Sequence, residues 1–124
     1  MLRPIHAAWA RGDFRAGLDL FDPQIEFVRN DVPDPGVYRG LEAMRRGFRE
    51  WLQSWEFFWA EPEEFIDAGA TIVVFIRNRG RGRTSGVELD APAASVWTLR
   101  DRKATLLALY ADRTRALRPA GVEG

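Results

Sequence analysis

Four consecutive strands in the second half of the chain constrain its fold more than any other feature. Short apolar and aromatic runs alternate there with turn sequences, and the run 71–76, rich in β-branched residues, is the strongest strand signal. Turns are predicted at 67–69 and 101–103, while Pro62 predicts a sheet edge or a bulge and Pro92 predicts a bulge. The predicted strands are 55–66, 70–79, 87–100 and 104–111.

Helical periodicity is confined to the first half and to a short segment after the last strand. Residues 25–27 alternate like a strand, and 30–36 has the prolines and glycine of a loop. Because helices precede strands without β-α-β alternation, the sequence predicts an α+β fold whose helices cover one face of an antiparallel sheet. Such a sheet, when curved, encloses a pocket. The predicted helices are 5–10, 14–20, 41–53 and 113–117.

The composition limits both chemistry and partners. The 124 residues predict a single domain, 1–124, and the 18 basic and 18 acidic side chains cancel, so neither nucleic acid nor a membrane is an expected partner. No apolar run approaches the roughly 20 residues of a membrane span. The lack of cysteine excludes disulfides and thiolate chemistry, which fits the predicted cytoplasmic location.

Metal and nucleophile sites find little support in the sequence. His6 is the sole histidine, no ligand spacing such as HxxxH occurs, and no metal or other cofactor is predicted. Ser54, Ser85 and Ser95 lack the G-x-S-x-G context of a serine nucleophile. Asp31 lies in the proline-rich loop, where aspartate is a common turn former, and a catalytic role for it is the alternative interpretation.

The run 77–83 has an arginine at every second position. One interpretation is a phosphate or RNA contact, as in a nucleic-acid accessory protein. The other, which the zero net charge favours, is a solvated hairpin whose arginines share one strand face and pair with Glu88 and Asp90 on the return strand. No nucleic-acid partner is therefore predicted.

Aromatic residues are the better functional lead, because five Trp and eight Phe must line a core, a pocket or a partner surface. On the first of the four strands, alternation predicts that Trp55, Phe57 and Trp59 share one face and Phe58 takes the other. Two apolar faces predict two covers, helices on one side and a second subunit on the other, hence a homodimer. The aromatic residues expected to converge are Trp9, Tyr38, Trp51, Trp55, Phe58, Trp97 and Tyr110.

Five sequence strings follow one another in the order of a known family. They are ARGD at 10–13, LFDP at 20–23, VYRG at 37–40, SVWTLRD at 95–101, and YADR at 110–113 followed by Ala116-Leu117. Together they resemble the SnoaL-like branch of the nuclear transport factor 2-like superfamily. The resemblance implies a ketosteroid-isomerase-related cone, in which a curved antiparallel or mixed sheet wraps around N-terminal and central helices. Enzymes of that superfamily include polyketide cyclases, ketosteroid isomerases, epoxide hydrolases and scytalone-dehydratase-like lyases.

Position by position, the resemblance implies a scaffold without the standard acid–base pair. The cyclase histidine and acid positions hold Ser95 and Leu109, and the isomerase base and tyrosine positions hold Arg29 and Ile5. Ser95 also takes the position of the second oxyanion donor. Asp31 lies close enough in sequence to replace a displaced base, so Asp31 and Ser95 are the two catalytic candidates.

The sequence and the resemblance together predict a protein that binds a hydrophobic, cyclic or aromatic small molecule. Arg29 is expected to orient a carboxylate or phenolate of that ligand. Any catalysis would be that of a cofactor-independent cyclase, isomerase or hydratase-type lyase. The alternative is a non-catalytic dimeric binding module whose cleft is filled by side chains. The predicted ligand-binding residues are Trp9, Arg29, Tyr38, Trp55, Ser95, Trp97 and Leu109.

Overall fold

The secondary-structure elements follow from local sequence signals. A computed structural model describes residues 2–14, 17–30, 36–118 and 121. Pro4 lies in the first turn of helix α1, where its missing N–H costs nothing, and Asp112 caps helix α3 by accepting from Thr114 N at 2.8 Å. In chain order the elements are α1 (Arg3–Ala10), a 3-10 turn (Leu18–Leu20), β1 (Phe21–Arg29), β2 (Gly36–Arg39), α2 (Leu41–Gln53), β3 (Trp55–Ala68), β4 (Thr71–Gly82), β5 (Glu88–Arg100), β6 (Lys103–Tyr110) and α3 (Arg113–Leu117).

The six strands form one sheet in the order β2-β1-β6-β5-β4-β3. β1 and β6 run parallel, whereas the other neighbouring pairs are antiparallel, so the sheet is mixed. The predicted α+β fold is confirmed. Helices α2 and α3 have the predicted bounds. For each predicted strand of the second half, both the first and the last residue lie within three residues of the observed ones.

Two apolar layers lie on opposite faces of the sheet. The inner face carries α1 and α2, and its buried cluster includes Trp9, Phe27 and Trp97. The outer face carries α3, whose Leu117 packs in a second cluster with Val96. The sheet is therefore covered by long helices on the inner side and by one short helix on the outer side.

The N-terminal third differs from the prediction in two places. The predicted helix 14–20 is wrong for the described residues, which form only the 3-10 turn, preceded by Gly17 at φ +79°. A Cβ at Gly17 would lie 2.6 Å from Ile5 Cδ1, so α1 packs too closely for a larger residue. The strand predicted at 25–27 extends over all of β1 because β2 and β6 both pair with it, and β2 itself begins within the predicted loop, at Gly36.

A bulge at the start of β3 decides which aromatic side chains face the helices. The register with β4 shifts between Trp55 and Phe57. Because of the extra residue, the Trp55 ring lies 5.5 Å from Phe58 on the inner face, and the prediction that it shares a face with Phe57 and Trp59 is wrong. Phe57 and Trp59 remain together on the outer face, with ring centroids 5.6 Å apart.

The two strand prolines have different surroundings. At Pro62 the β3 register shifts before Glu64, which confirms the predicted bulge. The β4–β5 register runs through Pro92 without a shift, so the bulge predicted there is wrong. β6 pairs with β5 only from Ala94 onward. Pro92 therefore lies outside the part of β5 that pairs with β6, and its missing N–H removes no hydrogen bond between these two strands.

Candidate functional site

A cavity of about 230 Å³ lies between the inner face of the sheet and the helices. Aliphatic residues from β4, β5 and β6, together with Tyr110 of β6, complete its wall, and Arg29 and Asn78 are the charged and amide side chains among the described lining residues. The cavity is therefore largely apolar, with two strongly polar positions. The aromatic lining residues are Trp9, Phe14, Phe27, Phe48, Trp51, Trp55, Phe58 and Tyr110.

Helix α2 supplies one wall of the cavity because its apolar residues recur at helical spacing. Phe48, Trp51 and Leu52 lie at i, i+3 and i+4 and line the cavity together. Trp51 also joins Trp55 and Phe58 in a three-ring cluster whose centroids are 5.4–5.7 Å apart. Such tilted and edge-on pairs are favourable aromatic geometries. The cluster presents a rigid aromatic surface to the cavity.

Small side chains on three adjacent strands leave the space open. Ala60 of β3, Asn78 of β4 and Ala91 of β5 lie side by side in register, and Ala93 pairs with Ile76 next to them. All five line the cavity. Alanine at three of these positions keeps the sheet floor low, because larger aliphatic side chains would fill the volume.

Arg29 ends β1 and contributes the positive charge of the cavity wall. Its side chain is only 4% exposed, and its guanidinium carbon lies 5.0 Å from the centroid of the Trp51 ring. The parallel register places Arg29 beside Leu109 of β6, which also lines the cavity. The contact with Trp51 is a cation–π interaction that fixes the guanidinium against the aromatic wall. Two of the predicted ligand-binding residues are thus neighbours.

Ser95 and Trp97 lie in the core and do not line the cavity, which corrects their predicted place in its wall. Both are fully buried, and Trp97 Nε1 donates to Ser95 Oγ at 2.9 Å. Ser95 Oγ lies 3.5 Å from His6 Nε2, while His6 Nδ1 lies 2.8 Å from the Leu2 carbonyl oxygen. A carbonyl accepts only, so the Nδ1 nitrogen carries the proton and Nε2 accepts from the serine hydroxyl.

The buried histidine is neutral in this arrangement. Burial lowers the pKa of His6 below 6.5, and the hydrogen bond to the Leu2 carbonyl opposes that shift in part. The Trp9 ring, 5.1 Å from His6, separates the pair from the cavity, which Trp9 lines. Ser95 therefore takes part in a closed polar chain of the core, and this placement does not fit a catalytic role at the cavity.

Tyr38 also lies outside the cavity lining. Its ring packs 5.7 Å from Phe27, and a Cβ at Gly47 of α2 would lie 3.1 Å from it. The missing side chain at Gly47 provides the space that the tyrosine ring occupies. The predicted place of Tyr38 in the cavity wall is therefore wrong.

Of the seven predicted ligand-binding residues, four line the cavity. These are Trp9, Arg29, Trp55 and Leu109. The catalytic candidate Asp31 lies outside the described residues. Within the described part of the chain, the indole N–H groups of Trp9 and Trp55 are buried without an acceptor, which is costly for a polar group.

Asn78, Phe14, Phe27 and Phe48 line the cavity but were not among the residues predicted to converge there. Asn78 lies inside the arginine run, and the same alternation that sends Arg77 and Arg79 outward sends Asn78 inward. That alternation was a sufficient signal for its placement. Phe27 follows from the alternation of β1 in the same way, and Phe48 from the periodicity of α2.

The arginines of β4 pair with acids on both neighbouring strands. Arg77 donates to Glu63 at 3.3 Å and to Asp90 at 2.9 Å, and Arg81 donates to Glu88 at 2.8 Å. The predicted pairing with Glu88 and Asp90 is present. Hydrogen bonds from Arg113 and from Arg77 lower the pKa of Glu63, and the bond from Arg77 lowers the pKa of Asp90.

Arg83 lies in the hairpin turn and does not share the face of the other three arginines. Its Nε donates to the Gln53 carbonyl at 3.2 Å and its Nη2 to the Trp55 carbonyl at 2.9 Å. A cation at the C-terminal end of a helix is favoured by the helix dipole. Arg83 thus ties the β4–β5 hairpin to the end of α2, next to the three-ring cluster.

No group of three or more metal-ligating side chains is found among the described residues. In the same part of the chain, every helix is too short or too polar to span a membrane.

Comparisons with known proteins agree with this fold. The family model described as a SnoaL-like domain matches residues 2–107. An NTF2-like protein from Burkholderia thailandensis is 25% identical with a TM-score of 0.78, covering 96% of this chain and 93% of that one. An NTF2-like protein of unknown function from Burkholderia pseudomallei is 20% identical with a TM-score of 0.78 and coverages of 98% and 95%. TerC, crystallised with polyporic acid, is 21% identical with a TM-score of 0.74 and coverages of 94% and 92%. A search of curated proteins gives no match.

Proposed function

The chain belongs to the SnoaL-like domain family, and from that premise we propose that it binds a small hydrophobic, cyclic or aromatic metabolite in the cavity. The observation that carries the proposal is the aromatic wall around an open volume of about 230 Å³. Flat rings stack favourably on Trp51, Trp55 and Phe58, which already hold one another in place. The alternative, a module whose cleft is filled by its own side chains, would lack such a volume.

The size of the cavity favours a compact ligand. Pockets for drug-sized molecules typically have about 300–1,000 Å³. The cavity of about 230 Å³ lies below that range, so a ring system of two or three fused rings suits it better than a larger one. The crystallisation of TerC, a protein of similar fold, with polyporic acid is in keeping with an acid as ligand.

Arg29 is the residue proposed to orient the ligand. A guanidinium donates along its rim to carboxylate or phenolate oxygens, and charge-assisted bonds of this kind are about twice as strong as neutral ones. Because Arg29 is buried and held over Trp51, it loses little freedom when a ligand binds. An acidic group on the ligand would face Arg29 while the rings stack on the aromatic wall.

We propose binding, rather than a standard acid–base reaction, as the activity of the cavity. The positions that carry the acid and base in related enzymes hold Leu109, which is apolar, and Ser95, which is used in the core. A cofactor-independent isomerase, cyclase or lyase reaction would need a base from elsewhere, and Asp31 is the candidate. Turnover that disappears in Asp31→Asn while ligand affinity stays unchanged would establish that second activity.

A fluorescence titration tests the proposed binding. The probe is 1-anilinonaphthalene-8-sulfonate, which combines aromatic rings with an anion, and the competitors are aromatic polyketides, steroids and terpenoids. Ala91→Leu, which fills the cavity, should weaken probe binding at least about tenfold. The matched control is Ala7→Leu, the same change at an exposed position of α1. Equal affinity in both variants would contradict binding in the cavity.

A homodimer is proposed for the same protein, through the outer face of the sheet. Phe57 is 44% exposed and stacks on Trp59, so an aromatic edge is left open to solvent. A second copy that covers this edge would remove the apolar surface from water. Sedimentation at micromolar concentration should give the dimer mass for the wild type and the monomer mass for Phe57→Glu. A wild-type monomer would remove the proposal.

A cytoplasmic location stays a prediction.

A further inference from the structure

Asn78 is a polar residue on an otherwise apolar strand face. The inner-face neighbours of Asn78 along β4 are Ile76 and Gly80, both buried, with Val74 one step further. Asn78 itself is half-buried and lines the cavity. A carboxamide at such a position needs an explanation, because inner-face residues of a half-covered sheet are normally apolar.

The Asn78 carboxamide has no hydrogen-bond or ion-pair partner within the described part of the chain. Asn78 lines the cavity, and its amide atoms are not among the side-chain atoms buried without a partner, so they remain accessible. The carboxamide therefore offers two N–H donors and a carbonyl oxygen that no side chain in the described part of the chain covers. A ligand oxygen in the cavity can accept a hydrogen bond from those donors.

The surroundings of Asn78 keep the carboxamide uncovered. Its partners in register on both neighbouring strands are alanines, Ala60 on β3 and Ala91 on β5. The next inner residue, Gly80, has no side chain, because a Cβ there would lie 2.7 Å from the Phe57 carbonyl oxygen. The Phe58 ring lies 3.2 Å from that same position and forms the adjacent aromatic wall.

We propose that Asn78 is a specificity-determining residue that hydrogen-bonds a carbonyl or hydroxyl oxygen on the ring system of the ligand. This inference rests on the proposed function, because it concerns the same cavity. In the sheet order β1-β6-β5-β4, Arg29 and Asn78 are three strands apart and occupy different walls. Two polar contacts on different walls fix the orientation of a flat ligand between them. The ligand class is therefore an oxygen-substituted, compact aromatic acid or phenol.

The experiment uses three tricyclic probes that differ in one group. Fluorene has no oxygen, 9-fluorenone has a carbonyl acceptor, and 9-fluorenol has a hydroxyl that donates and accepts. Each displaces 1-anilinonaphthalene-8-sulfonate, whose own affinity is measured for every variant. Asn78→Leu removes donor and acceptor but keeps the number and branching of the side-chain heavy atoms, whereas Asn78→Asp removes the N–H donors and keeps an acceptor. Thermal unfolding of each variant shows that it is folded, and Asn78→Ala replaces Asn78→Leu if the leucine variant does not fold.

The expected result is a loss confined to the oxygen-bearing probes. In Asn78→Leu, 9-fluorenone and 9-fluorenol should bind about five- to tenfold more weakly than in the wild type, as expected for one lost hydrogen bond. Fluorene should keep or improve its affinity. In Asn78→Asp, 9-fluorenone should lose affinity while 9-fluorenol keeps it.

Two outcomes overturn the inference in distinguishable ways. If the wild type binds all three probes and Asn78→Leu changes the affinity of 9-fluorenone by less than about twofold, the role of Asn78 is refuted and the binding function stands. If the wild type binds neither the three probes nor 1-anilinonaphthalene-8-sulfonate, the proposed function fails and the inference fails with it.

Discussion

The inner and outer faces of β3, β4 and β5 are made of alternate residues of the same segments, yet their side chains differ in size, polarity and charge. The inner face has small or apolar residues around Asn78 and borders the cavity. The outer face has a row of arginines, Arg77, Arg79 and Arg81, each paired with an acid on a neighbouring strand. The run 77–83 thus borders the cavity on one side and forms a charged surface on the other.

The outer face also supports the inner one through the main chain. Arg113 of α3 donates to the carbonyl oxygens of Ile76 at 2.8 Å and of Ala93 at 3.1 Å. Those two residues are cross-strand partners, and both line the cavity. Arg113 also pairs with Glu63 and lies over the Phe75 ring at 4.9 Å. Helix α3 therefore braces the cavity floor from the outside.

The largest difference between the faces should appear in two tryptophan truncations. Trp97→Ala removes a fully buried inner-face ring that stacks on Phe21 and donates to Ser95, and should cost about 3–5 kcal/mol. Trp59→Ala removes a half-buried outer-face ring and should cost about 1 kcal/mol. Urea unfolding measures both. Similar losses would show that the outer face is buried too, and a Trp59→Ala effect that grows with protein concentration would place that burial in a dimer.

A smaller effect is expected from two glycine substitutions on β4. Gly80→Ala places a Cβ 2.7 Å from the Phe57 carbonyl oxygen, where the backbone of the β3 bulge must move, and should cost about 1–3 kcal/mol. Gly82→Ala is the matched control, because its Cβ meets the Ser85 hydroxyl at 2.5 Å, and that side chain can rotate away. Urea unfolding of the two variants measures the free energy of unfolding, which should be lower for Gly80→Ala than for Gly82→Ala. Equal values would mean that the backbone of the β3 bulge moves without cost.

Local periodicity accounts for what the sequence could predict. The bounds of α2 and α3 follow from helical spacing and the Asp112 cap, and the strands of the second half from β-branched runs and turns. The inward placement of Asn78 was available from the same alternation. The inner position of Trp55 was not, because it depends on a bulge that only the pairing with β4 defines.

Packing between distant segments explains the remaining errors. Tyr38 fills the space above Gly47 of α2, a contact that no spacing within the chain indicates. Strand β2 exists because it pairs with β1, although it begins within a loop-like sequence. The resemblance implies a catalytic position for Ser95, yet its hydroxyl is engaged by Trp97 and His6. Position along a strand does not reveal such partners.

The buried histidine should make stability depend on pH through the inner face. Burial lowers the pKa of His6 in the folded state, so the unfolded state takes up a proton first as the pH falls. The contribution of His6 to the free energy of unfolding is therefore fully present above about pH 6.5. Below that pH the free energy of unfolding decreases by at most about 1.4 kcal/mol per pH unit. Urea unfolding between pH 7.5 and 5.5 should show this slope, and His6→Asn should abolish it, since His6 is the sole histidine. A slope that persists in the variant would assign the effect to other groups.

The smallest effect should come from the ion pairs of the outer face. Glu63 pairs with Arg77 and Arg113, which lower the pKa of its carboxyl, so its contribution is present at neutral pH and is lost as the pH falls through that lowered pKa. The group is exposed, and solvent screens such pairs strongly. Glu63→Gln should therefore lower the melting temperature only slightly at low salt and not at all at high salt. The loss in Trp97→Ala, by contrast, should be independent of salt because it arises from burial. A Glu63→Gln loss that survives high salt would mean that the bracing by Arg113 depends on this carboxylate, and that the outer face contributes to the cavity floor more than its exposure implies.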